Sequence, residues 1–177
     1  MYHIRFLLKH EYIRTLKLFC ECFPGNDNYI RELYGELDGN NCCNGTISDH
    51  RIAVLENEAG EILSMVHYKL VKAVYSDKMI NSAYIMDVAT RKDFRRQGFM
   101  DSLIEYTCAA LKAKKLGWCF LVAVNRDIYR HLGFIHDWIF NPQEASLLDA
   151  DEGLTVCSAR LLNADSFAPP DRLEKMP

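Results

Sequence analysis

The stretch Val88-Ala89-Thr90-Arg91-Lys92-Asp93-Phe94-Arg95-Arg96-Gln97-Gly98-Phe99-Met100 holds the residues best suited to chemistry. An apolar strand ends there, basic residues follow, and a glycine opens a long amphipathic segment. A helix start leaves backbone N–H groups without intrahelical partners. It also carries a partial positive charge, worth roughly 0.3–1 kcal/mol to a nearby anion. Together these bind phosphate. Gly98 has no Cβ, so a bulky anion can approach the backbone. Arg95 and Arg96 add charge and planar donors. The spacing is neither Gly-x-Gly-x-x-Gly nor Gly-x-x-x-x-Gly-Lys-Ser/Thr, which argues against a dinucleotide fold and a P-loop nucleotidase.

Two further places draw attention. Asn125-Arg126-Asp127-Ile128-Tyr129-Arg130-His131-Leu132-Gly133-Phe134 directly follows an apolar run, and sets Tyr129 just past the end of a strand. Asp87 lies one residue before Val88. Strand alternation puts Tyr84, Met86 and Val88 on one face and Ile85, Asp87 and Ala89 on the other. A carboxylate among apolar neighbours is costly unless it is paired or put to use. Tyr84 and His67 are weaker candidates for proton transfer; His67 reads as a sheet histidine, and His131 and His136 read as surface. Cys20, Cys22, Cys42, Cys43, His10 and His50 do not follow zinc-ligand spacing, and no metal is expected.

The chain is 177 residues long with a net charge of −3, 49% hydrophobic and 25% charged residues. That length suits one domain with a good core. The charge balance gives no global field toward nucleic acid or an acidic membrane. No apolar run reaches the length of a membrane span. Seven cysteines, an odd number, with no secretory segment ahead of them point to a reducing, cytoplasmic setting.

The elements that must position these residues follow from periodicity. Strands are expected at 4–8, 51–56, 62–74, 79–89, 118–124, 134–140 and 154–162. Helices are expected at 10–22, from 27 or 28 to 37, at 96–115 and at 125–132. Three strands joined by tight turns make an antiparallel meander. The helix from Arg96 carries Met100, Leu103, Ile104, Thr107, Ala110 and Leu111 as one stripe, with Gly117 as its stop. The run from Trp118 to Val124 reads as a central strand covered on both faces. Strand, helix and buried strand in succession imply a parallel pair. The expected fold class is α/β: a mixed, mostly antiparallel sheet of about six to seven strands flanked by about four helices. Residues 1–162 form a single domain in this reading, and 163–177 a tail outside the core.

With both motifs in view, the chain resembles the GCN5-related N-acetyltransferase (GNAT) superfamily. Arg95 and Gly98 match its Gln/Arg-x-x-Gly-x-Gly/Ala loop, and Tyr129 through Phe134 match its Tyr-x-x-x-Gly-Phe element. Met100 stands where the family prefers Gly or Ala. The nearest flavour is the N-terminal part of the enhanced-intracellular-survival-type acetyltransferases. That subfamily uses its own C-terminal carboxylate, a role with no matched residue here.

The resemblance implies acetyl-CoA as cosubstrate and a primary amine as acceptor. Val88, Ala89 and Thr90 would meet the pantetheine arm. Arg95, Arg96, Gln97, Gly98, Phe99 and Met100 would hold the pyrophosphate. Asn125 would bond the pantetheine or brace its helix. The amine attacks the thioester directly, Asp87 takes its proton and Tyr129 protonates the departing sulfur. The first two helices and the loop from Asp38 to Asp49 would build the acceptor pocket, with Glu32, Glu36, Phe23, Tyr29 and Tyr34 as lining. The alternative is a non-catalytic acyl-CoA-binding or regulatory module. The acceptor stays open between a small molecule and a protein amine, and a homodimer is one open arrangement.

Overall fold

The computed structural model describes residues 1–37, 50–75, 78–140, 155–163 and 172–175. Among the described residues, the strands β1 (Tyr2–Phe6), β2 (His50–Asn57), β3 (Ile62–Tyr75), β4 (Lys78–Thr90), β5 (Trp118–Val122), β6 (His136–Phe140), β7 (Thr155–Leu161) and β8 (Arg172–Lys175) follow the order β1-β2-β3-β4-β5-β7-β6, with β8 against β3. The chain divides into two compact units: Met1–Tyr68 with Asp87–Thr107, and Lys69–Met86 with Cys108–Pro177. Strands β3 (Ile62–Tyr75) and β4 (Lys78–Thr90) and helix α3 (Phe99–Ala113) each contribute residues to both.

The first unit starts with β1 (Tyr2–Phe6), antiparallel to β2 (His50–Asn57) in the register Ile4↔Leu55. Between them come a 3-10 helix (Lys9–Thr15), α1 (Leu16–Cys22) and α2 (Asp27–Leu37). One expected helix from His10 thus divides into a 3-10 segment and a short α-helix. The 3-10 entry has a physical cause. Glu11 turns back and its Oε2 accepts the Leu8 N–H at 2.9 Å. The same carboxylate takes Arg5 through both oxygens, at 2.8 and 2.7 Å, and Arg14 at 2.9 Å. Arg14 also donates to Glu56 at 2.7 Å, a residue only 3% exposed. This network fastens the segment to β1 and β2.

Behind it lies the first core: Tyr12, Leu18, Phe19, Leu33, Tyr34, Ile52, Val54, Ile62, Met65 and Ala89. Each large apolar side chain fully buried here contributes roughly 1.5–3 kcal/mol. The β2–β3 turn closes on Asn57, whose Oδ1 accepts the amides of Ala59 (3.1 Å) and Glu61 (2.9 Å).

In the second unit β5 (Trp118–Val122) runs parallel to β4, pairing Ser82↔Trp118 through Ile85↔Leu121. Trp118, Cys119, Phe120 and Leu121 are all buried, as an apolar run without alternation requires. Strand β7 (Thr155–Leu161) lies antiparallel between β5 and β6 (His136–Phe140). Trp118, Phe120, Tyr84, Val71, Ala73 and Ala159 form this unit's core. Helix α4 (Asp127–Arg130) is shorter than the expected 125–132 helix.

Three local expectations are corrected. Helix α3 begins at Phe99, not Arg96, because Arg96 (φ +61°) and Gly98 (φ +76°) are left-handed and cannot continue a helix. Its stop is Lys115, at φ +60°, with the Leu116 amide returning to the Leu111 carbonyl at 3.2 Å. Gly117 instead joins strands: its N–H donates to Asn81 at 2.7 Å and its carbonyl accepts the Leu162 amide at 2.9 Å. Finally, the tail contains β8 (Arg172–Lys175), antiparallel to Val71–Val74 of β3. A four-residue strand supplies too short a pattern to read.

Candidate functional site

The entrance to α3 is built by strain and by side-chain ties. After β4, Lys92–Phe94 makes one 3-10 turn and Arg95 returns to an extended backbone. Arg96 and Gly98 then take positive φ. The first bond of the helix runs from the Ser102 amide to the Gly98 carbonyl, 3.0 Å, so Gly98 is its cap residue. A Cβ placed on Gly98 would meet nothing within 4 Å. The backbone here is bare on the side where a ligand could approach, at the head of a 15-residue helix.

Arg95 donates from Nε to the Thr90 carbonyl at 3.0 Å, and its Nη2 lies 3.9 Å from Cys22 Sγ. Arg95, Arg96, Gln97 and Gly98 are exposed. Gln97 is tied to the Asp93 carbonyl at 3.3 Å. Phe99 is half-buried, with the Tyr2 ring 4.8 Å away and the Phe94 ring 6.2 Å away. Met100 is half-buried too. On β4, Val88 is half-buried and Ala89 buried. The Ala89 carbonyl accepts the Ser64 hydroxyl at 3.0 Å, and Thr90 Oγ1 lies 2.8 Å from the same hydroxyl. The pairing of β4 with β5 ends at Ile85↔Leu121, two residues before Asp87.

Asp87 itself has φ +48°, in the middle of a strand. A non-glycine residue in that region costs energy, and such strain gathers at functional sites. Its carboxylate is paired. Tyr29, from α2, donates to Oδ2 at 3.0 Å. His67 Nδ1, from β3, lies 3.5 Å from the same oxygen. His50 Nε2, from β2, lies 3.2 Å from His67 Nδ1. His67 and His50 are buried, 0% and 2% exposed. The Tyr34 hydroxyl shares a hydrogen with Thr15 Oγ1 at 2.9 Å. Burial pushes its phenol well up, with the Asp87 carboxylate adding to the shift. Tyr12 donates to the His50 carbonyl at 3.1 Å, and burial raises its phenol as well.

The sequence singles out Asp87 and offers Tyr29 only as acceptor-pocket lining, reads His67 as a sheet histidine and considers His50 only as a metal ligand. Neither histidine carries a local signal. Each contact depends on strand register or on helices far away in the chain. Tyr84, the other weak candidate, is a core residue of the second unit.

Tyr129 and Asn125 belong to the second unit. Tyr129 sits in α4, half-buried, with the Phe134 ring edge-on at 6.2 Å. Its carbonyl accepts the Leu132 amide at 3.1 Å and the Phe134 amide at 3.4 Å, which fixes the Tyr-x-x-x-Gly-Phe turn. Gly133 supplies a φ of +83° there. Burial raises the Tyr129 phenol above its ordinary value. Asn125 is exposed and its Oδ1 accepts the Asp127 amide at 3.1 Å, so it braces the start of α4. The loop from Asp38 to Asp49, including Cys42 and Cys43, and the side chains of Glu32, Glu36 and His136 lie outside the described residues. Among the described residues no three His, Cys, Asp or Glu side chains gather as a metal site.

Several solved structures share this fold. One is the GNAT-family N-acetyltransferase YhbS of Escherichia coli in complex with CoA: TM-score 0.69, 12% identity, covering 99% of this chain and 89% of that one. A conserved protein of Enterococcus faecalis aligns with TM-score 0.62 and 16% identity, over 75% of this chain and 32% of that one. Eis1 of Mycobacterium abscessus aligns with TM-score 0.57 and 15% identity, over 86% of this chain and 37% of that one. The chain thus spans about a third of the length of the latter two. At these identities the likeness is one of fold. No curated protein matches in sequence. Residues 3–136, from β1 to the start of β6, match the family described as Acetyltransferase (GNAT) domain, and by that match the chain belongs to the GNAT acetyltransferases.

Proposed function

We propose that this protein transfers an acetyl group from acetyl-CoA to a primary amine by direct attack within a ternary complex. The observation that carries the reading is the α3 entrance, where Arg96 and Gly98 hold left-handed backbone and a Cβ on Gly98 would stand in open space. Such a cradle suits a pyrophosphate, and the fold likeness to an enzyme crystallised with CoA supports the same ligand. When bound, acetyl-CoA supplies an activated thioester.

The chain's own residues would do the rest. Backbone amides from Arg96 to Met100 hold the pyrophosphate, with Arg95 beside them. Val88, Ala89 and Thr90 meet the pantetheine arm, and Asn125 steadies α4 and so Tyr129. Asp87 accepts the proton of the incoming ammonium. An amine of pKa about 10.4 is almost wholly protonated at neutral pH, so this step is needed before attack. Tyr129 gives its proton to the departing sulfur. Burial raises its phenol, so the donor is protonated before transfer. The transfer to a thiolate is uphill in water by at least about 2 kcal/mol on reference values of 10 and 8.5. Positioning offsets that cost, and a sulfur sheltered from water is itself more basic.

We also propose an Eis-type N-terminal domain, from the small residues before the Arg95-Arg96 loop and Tyr129 after the next strand, and read residues 1–162 as one acyltransferase domain. We read the protein as cytoplasmic, from the odd number of cysteines in the sequence. None of the described helices is long and apolar enough to cross a membrane.

The test is isothermal titration with acetyl-CoA, with desulfo-CoA for comparison. Micromolar binding followed by thiol release with one member of an amine panel is the expected result. No binding at millimolar ligand overturns the reading. Binding without transfer to any amine would favour the acyl-CoA-binding module.

A further inference from the structure

The three central strands of the first unit each place one ionisable side chain in a row: His50 on β2, His67 on β3 and Asp87 on β4. We infer that the buried His50–His67 pair is the store for the proton that Asp87 takes from the acceptor. This rests on the proposed reading, in which Asp87 is the base.

The geometry sets the logic. His67 Nδ1 faces two partners, Asp87 Oδ2 at 3.5 Å and His50 Nε2 at 3.2 Å. A ring nitrogen carries either one hydrogen or one lone pair. With the hydrogen on Nδ1, His67 supports an ionised Asp87, and Tyr29 donates to the same oxygen at 3.0 Å. His50 Nε2 then presents its lone pair. This is the ready state. When Asp87 takes a proton, its O–H meets an N–H, and two hydrogens compete for one space.

Moving both protons one place relieves this. His67 Nδ1 passes its hydrogen to His50 Nε2, and Asp87 passes its new one to His67 Nδ1. The amine has lost one proton, His50 has gained one, and Asp87 is a carboxylate again. Nothing is oxidised or reduced. The shift is favoured by roughly 400-fold on the reference proton affinities of imidazole and carboxylate. A carboxylate alone is a poor acceptor for a proton from an ammonium; a carboxylate backed by two imidazoles is a better one. Opposite charge on Asp87 offsets the cost of a buried imidazolium.

Described residues from several elements pack around the row. Tyr29 and Tyr34 come from α2, Tyr12 and Thr15 from the 3-10 segment, and Cys20 from α1 acts on Tyr34. From β2, Arg51 donates to the His50 carbonyl at 2.7 Å. The aromatic rings of Phe19 and Tyr34 lie 6.1 and 6.4 Å from His67. Burial keeps the Tyr12 and Tyr34 phenols protonated, while Asp87 and Arg51 bring charge beside the pair.

The experiment reads the imidazoles directly. The full chain is labelled with 15N-histidine and its six histidines are titrated by long-range nitrogen–proton NMR. In the wild type, two buried imidazoles should titrate as a coupled pair, one with hydrogen on Nδ1. Asp87→Asn, nearly isosteric, should lower the pair's proton affinity at least tenfold and leave the other four unchanged. If the substitution moves neither buried midpoint, the relay is overturned, whether or not an acceptor is known. The same labelled sample titrated with acetyl-CoA shows separately whether the ligand reading holds. With an active amine in hand, His50→Gln and His67→Gln should shift the acid limb of kcat/KM by one pH unit or more, with KM for acetyl-CoA within twofold. An unshifted limb in both variants, in folded protein, also overturns it.

Discussion

Replacing Gly98 separates the cost of folding from the loss of ligand. The residue sits at φ +76° and a Cβ there meets no protein atom within 4 Å. A side chain therefore costs only backbone strain, roughly 1–2 kcal/mol, at the low end for Asn and Asp. In a chain of this size that lowers Tm by about 2–8 °C. Gly98→Asn and Gly98→Asp should fold alike, because both tolerate left-handed backbone and fill the same volume. Their effects on CoA should differ. Each occupies space the pyrophosphate would use, but only Asp adds a negative charge. A unit charge about 5 Å from one phosphate charge costs roughly 1–3 kcal/mol for an effective dielectric between water and protein surface. Against the two charges of a pyrophosphate the penalty is about 2–5 kcal/mol after screening, or 30-fold to several thousandfold in Kd. Isothermal titration at 0.1 M salt should therefore show Asn weakening CoA and Asp weakening it at least 30-fold further. Raising the salt should narrow the gap between the two variants and leave the Asn effect in place. If Gly98→Asp binds CoA within threefold of wild type while its Tm falls as expected, the ligand does not sit on this cap. A binding loss equal for Asn and Asp would keep the seat but remove the charge from it.

Other outcomes follow from single groups. Tyr129→Phe should leave the Kd for acetyl-CoA within about twofold and lower turnover by roughly 10²–10⁴-fold, the range for a positioned proton donor; equal turnover would make the residue structural, packed on Phe134. Acid should loosen the network under the 3-10 segment. The Arg5 guanidinium, the Leu8 amide and Arg14 hold the Glu11 carboxyl down to about 2, from an ordinary 4.5. A lowered folded value means stability that is present above pH 4.5 and lost as pH falls toward 2. With Arg5 and Arg14 each about a third exposed, solvent screening leaves about 1–2 kcal/mol of it. Urea midpoints of Glu11→Gln should trail wild type at pH 7 and 5 and draw level as pH approaches 2. A gap that stays constant down to pH 2.5 would refute the assignment.

The parts of this fold that the sequence made legible are those where one element carries its own pattern. The run Trp118–Leu121 is apolar throughout because both faces are covered, with Val122 at its end exposed, and its parallel pairing with β4 follows from the helix between them. The α3 entrance was readable because Arg95 and Gly98 stand at fixed spacing within a few residues. What stayed hidden depends on other elements. Asp87 signalled itself as a carboxylate in an apolar strand, but its partners lie 58 residues away in α2 and one strand over in β3. His50 and His67 meet only once β2 and β3 are in register.

Backbone strain was the other hidden term. Among the described residues, the non-glycine residues at positive φ are Asp87, Arg96 and Lys115. Asp tolerates that region, but Arg and Lys give no warning of it, and Gly117 drew the helix stop two residues too far. Lys115 is explained by the turn it closes, where Leu116 bonds back to Leu111. Arg96 also lies in a turn, the one that leads into α3, whereas Asp87 stands in a strand. Asp87 holds its positive φ within β4 at the carboxylate and Arg96 at the entrance to α3, and each costs about 1–3 kcal/mol. That both lie in the region with the phosphate-seat residues and the buried imidazoles is a structural reason, independent of family likeness, to seek the chemistry there. It carries its own check: Arg96→Gly should relieve the strain and raise Tm, whereas the same change at an unstrained position would lower it by loosening the unfolded chain.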